Sequence, residues 1–185
     1  MERVTGPDKH ECIRLSNDDV YVEATIDVGP RIVTYSRVGG ENVLGEAFDV
    51  AIETTLGTWR PYAGHRLWAA PEANPFSYAP DNDPVDVHEI GERAVRLVAR
   101  PQAGLQKSMT ITLADKGSNV TIVHRITNHS LPTIEIAPWA LTIVGAGGEA
   151  IVPNEPAENQ QKNTKGDGGQ KAFHKKNRTP QAVMF

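Results

Sequence analysis

The sequence predicts an all-β fold. Three observations carry this: apolar residues alternate with polar ones in several separate runs, short turns rich in Gly, Pro, Asn and Ser divide those runs, and no segment keeps a 3.6-residue apolar period with helix caps. Successive strands joined by short turns pair antiparallel, because a parallel crossover needs a dozen or more residues. The architecture implied is a sandwich or a large antiparallel sheet assembly.

In 20–26, Val20, Val22, Ala24 and Ile26 alternate with Tyr21, Glu23 and Thr25, the pattern of a half-buried strand. Asp27-Val28-Gly29-Pro30 supplies a turn, and 31–38 is rich in β-branched and aromatic residues until Gly39-Gly40-Glu41-Asn42 ends it. The two runs make a hairpin. A shorter apolar piece lies near 50–52. The region 57–84 carries Pro61, Pro71, Pro75, Pro80 and Pro84 and reads as an irregular loop. Its Trp59, Tyr62, Trp68, Phe76 and Tyr78 mark that loop as ordered and packed, since disordered segments are poor in aromatics.

Four strand-like runs follow. The run 93–100 places Val95, Leu97 and Ala99 on one face, 107–113 does the same for Met109, Ile111 and Leu113, and 119–128 gathers Val120, Ile122, His124 and Ile126. The run 134–144 is nearly continuous in apolar character, which predicts burial on both faces. Gly145 to Gly148 then breaks it.

Composition shifts near residue 153. From 154 to 182 there is no Val, Ile, Leu or Met, and Asn, Gln, Lys and Gly dominate. Such a stretch buries too little apolar surface to offset its ordering entropy. The expected organisation is one β-sandwich domain, 1–153, and a polar, disordered tail, 154–185. The tail holds six Lys/Arg against three acids, so with −4 on the whole chain the body carries −7. An acidic body argues against nucleic acid as the main partner, which wants a clustered basic face. No run approaches the roughly 20 apolar residues of a membrane span, and the N-terminus lacks the apolar core of a signal peptide. The expected address is cytoplasmic. The lone Cys12 allows no intramolecular disulfide and no cysteine zinc cluster, and it lies near a terminus expected to fray.

The chemistry concentrates in Gly64-His65-Arg66-Leu67-Trp68-Ala69-Ala70-Pro71-Glu72. A flat aromatic face, a fixed cation with several donors, an imidazole and a carboxylate are the groups that grip a sugar. In this reading Arg66 and His65 hydrogen-bond hydroxyls, Trp68 stacks on a pyranose face, and Glu72 accepts hydroxyls. The competing structural roles are an ion pair of Arg66 with Glu72 or Asp81, a backbone-bonded His65 and a core Trp68. His124 joins the ligand-binding candidates from its apolar strand face. The histidines 65, 88, 124 and 129 show no HxH or HxxxH spacing, so no metal site is assigned, and no cofactor is implied. Gly145-Ala146-Gly147-Gly148 lacks the context of a phosphate loop, and there is no Gly-x-Ser-x-Gly elbow.

Four pieces together carry a family resemblance: Asp27-Val28-Gly29-Pro30-Arg31-Ile32; Gly64 to Trp68 with Ala70-Pro71-Glu72; Tyr78-Ala79-Pro80-Asp81-Asn82 with Pro84-Val85; and Ile126-Thr127-Asn128 followed by Glu135 to Thr142 and Gly147 to Pro153. Over roughly 12–153 the chain resembles the galactose mutarotase-like (aldose 1-epimerase-like) superfamily, and within it an uncharacterised bacterial family. The resemblance implies an antiparallel β-supersandwich, here incomplete at its C-terminus, and a carbohydrate or sugar phosphate as partner. It also implies a catalytic His in a His-Pro-Tyr motif, where this chain has Ala137-Pro138-Trp139. Alanine transfers no proton. The expectation is therefore a carbohydrate-binding domain without standard mutarotase catalysis. The alternatives are an epimerase-like enzyme pairing His65 or His124 with Glu72, and an inactive truncated product.

Overall fold

A computed structural model describes residues 1–147 and the strand Ala182–Met184. The protein is all-β, built from antiparallel sheets of which none closes into a barrel. The strands are β1 (Glu2–Thr5), β2 (Glu11–Ser16), β3 (Val20–Thr25), β4 (Ile32–Arg37), β5 (Glu46–Ala47), β6 (Ile52–Thr54), β7 (Gly57–Trp59), β8 (Tyr62–Ala63), β9 (His65–Ala70), β10 (Asp86–Gly91), β11 (Ala94–Val98), β12 (Leu105–Leu113), β13 (Val120–Asn128), β14 (Ala137–Ile143) and β15 (Ala182–Met184). A seven-stranded sheet runs β1-β2-β3-β4-β9-β14-β15 and a four-stranded sheet runs β10-β11-β12-β13. The short pairs β5–β8 and β6–β7 complete it.

The period-2 patterns form the core. Ile13, Leu15, Val20, Val22, Ala24 and Ile32 of the large sheet pack against Val95, Leu97, Met109, Ile111 and Leu113 of the small one. Side chains on this side of the large sheet are called inner, the others outer. Burying each Leu, Ile or Met here contributes about 1.5–3 kcal/mol. The outer face of β2 and β3 is polar but paired: Arg14 donates from Nε and Nη2 to Glu23 Oε1 at 2.9 and 2.6 Å, across the register Arg14↔Glu23.

Three expectations need correction. The N-terminus does not fray: β1 and β2 extend the large sheet beside β3, and Cys12 is completely buried. The region 57–84 is not a loop throughout, since it contains β7, β8 and the six-residue β9 between β4 and β14. The prolines bracket β9 rather than interrupt it, and Arg66 to Ala69 are buried whichever face they occupy, so β9 has no alternation to read. Finally, β14 is not buried on both faces: Ala137 and Pro138 are exposed and the rest half-buried. Across from it stands β13, an edge strand of the small sheet whose inward residues Val120, Ile122, His124 and Ile126 are themselves only half-buried.

Of the expected tail, 154–185, only Ala182–Met184 lies among the described residues. Its backbone pairs with β14 in the register Leu141↔Met184, Thr142↔Val183, Ile143↔Ala182. The rest of that tail, and the Gly148 to Pro153 part of the resemblance, lie outside the described residues.

Candidate functional site

Entry into β9 is set by Gly64. Its φ is +54, and a Cβ there would lie 2.0 Å from the Ile32 carbonyl oxygen, so only glycine lets the chain pass this close to β4. Consecutive side chains of β9 then leave opposite faces. His65, paired in register with Ile32, is inner, and Arg66 and Trp68 are divided from it by the sheet: Arg66 packs on Trp59, and Trp68 on Trp59 and Trp139.

On the inner side His65 meets His124 of β13. Their Nε2 atoms are 2.7 Å apart, the rings stack at a centroid distance of 5.0 Å, and His65 Nδ1 lies 2.8 Å from Thr142 Oγ1 on β14. Burial pushes the His65 imidazole down to about 4, helped by its His124 neighbour, and burial lowers His124 as well. Both rings are therefore neutral at pH 7, and a single proton is shared between the two Nε2 atoms. His124 Nδ1 is buried with no hydrogen-bond partner among the described residues. Beside the pair a cleft of ≈ 380 Å³ separates the sheets. Val22, Ile32, Tyr35 and Leu44 wall it on one side, Val120 and Ile122 on the other, and His65, Thr142, Ser118 and Asn119 supply its polar groups.

On the outer side Arg66 is locked in place. It donates from Nη1 to the Arg60 carbonyl at 3.1 Å and from Nη2 to Asp81 Oδ2 at 3.3 Å, with its guanidinium 5.2 and 5.5 Å from the Trp59 and Trp68 rings. Lys107, from the inward row of β12, donates to the same Asp81 oxygen at 2.7 Å, so Asp81 ties Arg66 to the small sheet. Arg31 donates to the Asp81 and Pro80 carbonyls, both at 2.9 Å, and lies over the Tyr62 ring. Burial, with Arg31 as the next cause, pushes Arg66 down to about 9, still charged at neutral pH; burial lowers Arg31 and Lys107 too. Of the two carboxylates the sequence offers Arg66, the structure pairs it with Asp81 and not with Glu72. At 5% exposure this arginine ties loop to sheet.

Above Arg66 lies a cluster of four rings. Trp68 meets Trp59 and Trp139 edge to face at 5.7 and 5.4 Å, and Tyr78 at 5.3 Å. Trp68 is only 8% exposed, so its ring is enclosed; the half-buried rings of Trp139 and Tyr78 form the accessible rim. Exposed Glu72 accepts the Tyr78 hydroxyl. Trp59 Nε1, Trp68 Nε1 and Arg66 Nε are buried without acceptors among the described residues.

The five candidate residues thus fall into two groups. His65 and His124 meet between the sheets, while Arg66, Trp68 and, through Tyr78, Glu72 gather at the opposite face of β9; among the described residues no hydrogen bond or ion pair joins a member of one group to a member of the other. Sequence reasoning missed Arg31, Lys107, Trp139 and Tyr78 as members of these clusters. The signal for Lys107 was available: it shares the alternation of Met109, Ile111 and Leu113, a charged residue in a buried row. Among the described residues no three His, Cys, Asp or Glu side chains are grouped to hold a metal ion. No described helix is long and apolar enough to cross a membrane. No family model, no curated protein and no solved structure matches the chain.

Proposed function

We propose that this sandwich, of the galactose mutarotase-like type, binds a carbohydrate or sugar phosphate on the outer face of β9 and β14 without catalysing its mutarotation. The observation that carries the reading is the ring cluster. Trp139 and Tyr78 are half-exposed around the enclosed Trp68, and the Glu72 carboxylate stands beside Tyr78. Aromatic faces take the apolar face of a pyranose, and a carboxylate accepts its hydroxyls. Arg66 acts beneath the rings, holding Trp59 and Trp68 in orientation.

Two features support binding over catalysis. Ala137, at the place where the resemblance calls for a catalytic His, is an exposed alanine on β14 with no proton to transfer. Among the described residues the cleft that His65 lines has no carboxylate, and Glu72 bonds Tyr78 rather than either His. An epimerase needs an acid and a base on opposite sides of one ring, and this arrangement supplies no such pair.

The test is a thermal melt of the full chain against a panel of aldoses and aldose phosphates. A sugar at 100-fold its dissociation constant adds about 2.7 kcal/mol to the folded state. The reading expects a rise in Tm that Trp139→Ala removes while the variant keeps a cooperative melt. No rise with any sugar, or a rise that survives Trp139→Ala, overturns it.

A further inference from the structure

The inter-sheet cleft is built differently from the outer ring cluster. Two hydrogen bonds between the sheets frame it: His65 to His124, and the Tyr35 hydroxyl to the Ser118 carbonyl. Val22, Ile32, Leu44, Val120 and Ile122 give it aliphatic walls beside the polar groups named above, its volume of ≈ 380 Å³ falls in the range of small-molecule sites, and among the described residues none that line it carries a formal charge at neutral pH. A sugar placed there would set more hydroxyls against Val22, Ile32 and Ile122 than the half-buried Thr142 can partner, and a carboxylate or ammonium would meet no opposite charge among the described residues.

Of the hydroxyl and amide groups in the wall, Ser118 and Asn119 are exposed to solvent, whereas Thr142 is half-buried and retains hydrogen-bonding capacity. A hydroxyl has one donor and two acceptor positions, and Thr142 Oγ1 uses only one of them with His65 Nδ1. If His65 Nδ1 carries the proton, the threonine hydroxyl donates onward; if it does not, the threonine oxygen accepts. A hydroxyl on the ligand satisfies either arrangement, because it both donates and accepts.

We propose that this cleft is a second binding site, distinct from the outer face, for a small uncharged apolar molecule bearing a single hydroxyl, such as an alkylphenol. The apolar body fills the space between Ile32 and Ile122, and the hydroxyl bonds Thr142, which His65 and His124 hold in orientation. The two sites share β9 but use its opposite faces, so each is occupied independently of the other.

The experiment is calorimetric titration of the full chain with 4-propylphenol, propylbenzene and 4-propylbenzoate. The expected order is 4-propylphenol tightest, propylbenzene weaker by about 2–10-fold in Kd, the equivalent of one net hydrogen bond, and no binding of 4-propylbenzoate. Ile122→Trp, which fills the cleft from a half-buried position, abolishes 4-propylphenol binding, whereas Trp139→Ala leaves it unchanged. Thr142→Val serves where Ile122→Trp fails to melt cooperatively: it brings the phenol and the hydrocarbon to equal affinity. Absence of 4-propylphenol binding, tighter binding of the benzoate, undiminished binding in a folded Ile122→Trp, or a preference for the phenol that survives Thr142→Val overturns the proposal.

Discussion

His65 and His124 lie 59 residues apart in sequence on different sheets, and their Nε2 atoms meet at 2.7 Å, one imidazole donating and the other accepting. Two protonated rings could not make this bond, and burial disfavours even a single charge on the pair. The unfolded imidazole titrates near 6.5 and the folded His65 near 4, so between these values the unfolded chain binds more protons. The stability owed to the neutral pair is full above about 6.5 and is lost as the pH falls toward 4. Urea unfolding across that window is expected to show a steeper loss in the wild type than in His65→Gln, which has no such imidazole; equal slopes would contradict the pairing.

Asp81 is the carboxylate shared by two buried cations, Arg66 and Lys107. Asp81→Asn keeps the shape and removes the charge, leaving both cations uncompensated. The expected cost is about 3–5 kcal/mol, the usual penalty for breaking a buried pair by removing one partner. Chemical denaturation measures it, and a change below 1 kcal/mol would show that the surrounding carbonyls and rings suffice.

Gly64→Ala tests how β9 is threaded. The new methyl would press on the Ile32 carbonyl at 2.0 Å from a residue with φ of +54, in the left-handed region that side chains disfavour. The backbone conformation alone costs about 1–3 kcal/mol, and the collision adds to it. The variant is expected to melt well below wild type and to lose sugar binding only through unfolding, so that any folded fraction binds normally.

Cys12 is fully buried in β2, and its thiol is pushed up to about 12, first by burial and then by the Glu23 and Asp27 carboxylates. A thiol reagent is expected to leave it untouched in the native protein and to titrate it in urea. Rapid labelling of the native protein would show that β1 and β2 open readily.

The legible parts of this fold are those where one face of a strand is apolar and the other polar. β3, buried on both faces but polar on its outer one, and the long strands β12 and β13 show their alternation in the sequence. β9 does not, because each of its faces mixes residue types: His65 shares one with Leu67 and Ala69, and Arg66 shares the other with Trp68, all of Arg66 to Ala69 being buried. β2 is similarly masked, since Cys12 and Ile13 are both buried. The segment 64–72 stood out by its residue types, yet its apparent single site was an artefact of adjacency: neighbours on a strand point to opposite faces, so His65 and Arg66 could not serve one ligand from one side. The apolar face of β13 placed His124 inward, but its partner came from the other sheet, and contact between sheets leaves no spacing in the sequence.

Sugar is expected to bind outside, at the rings, and not between the sheets. The chain has three tryptophans, so its indole N–H signals report directly on the site. A proton NMR titration of the full chain with the best aldose from the thermal panel should shift the Trp139 and Trp68 indole signals, assigned by substitution, and leave the His65 and His124 ring protons in place. Shifts confined to the two histidines, or no indole shift at saturating sugar, would contradict the account.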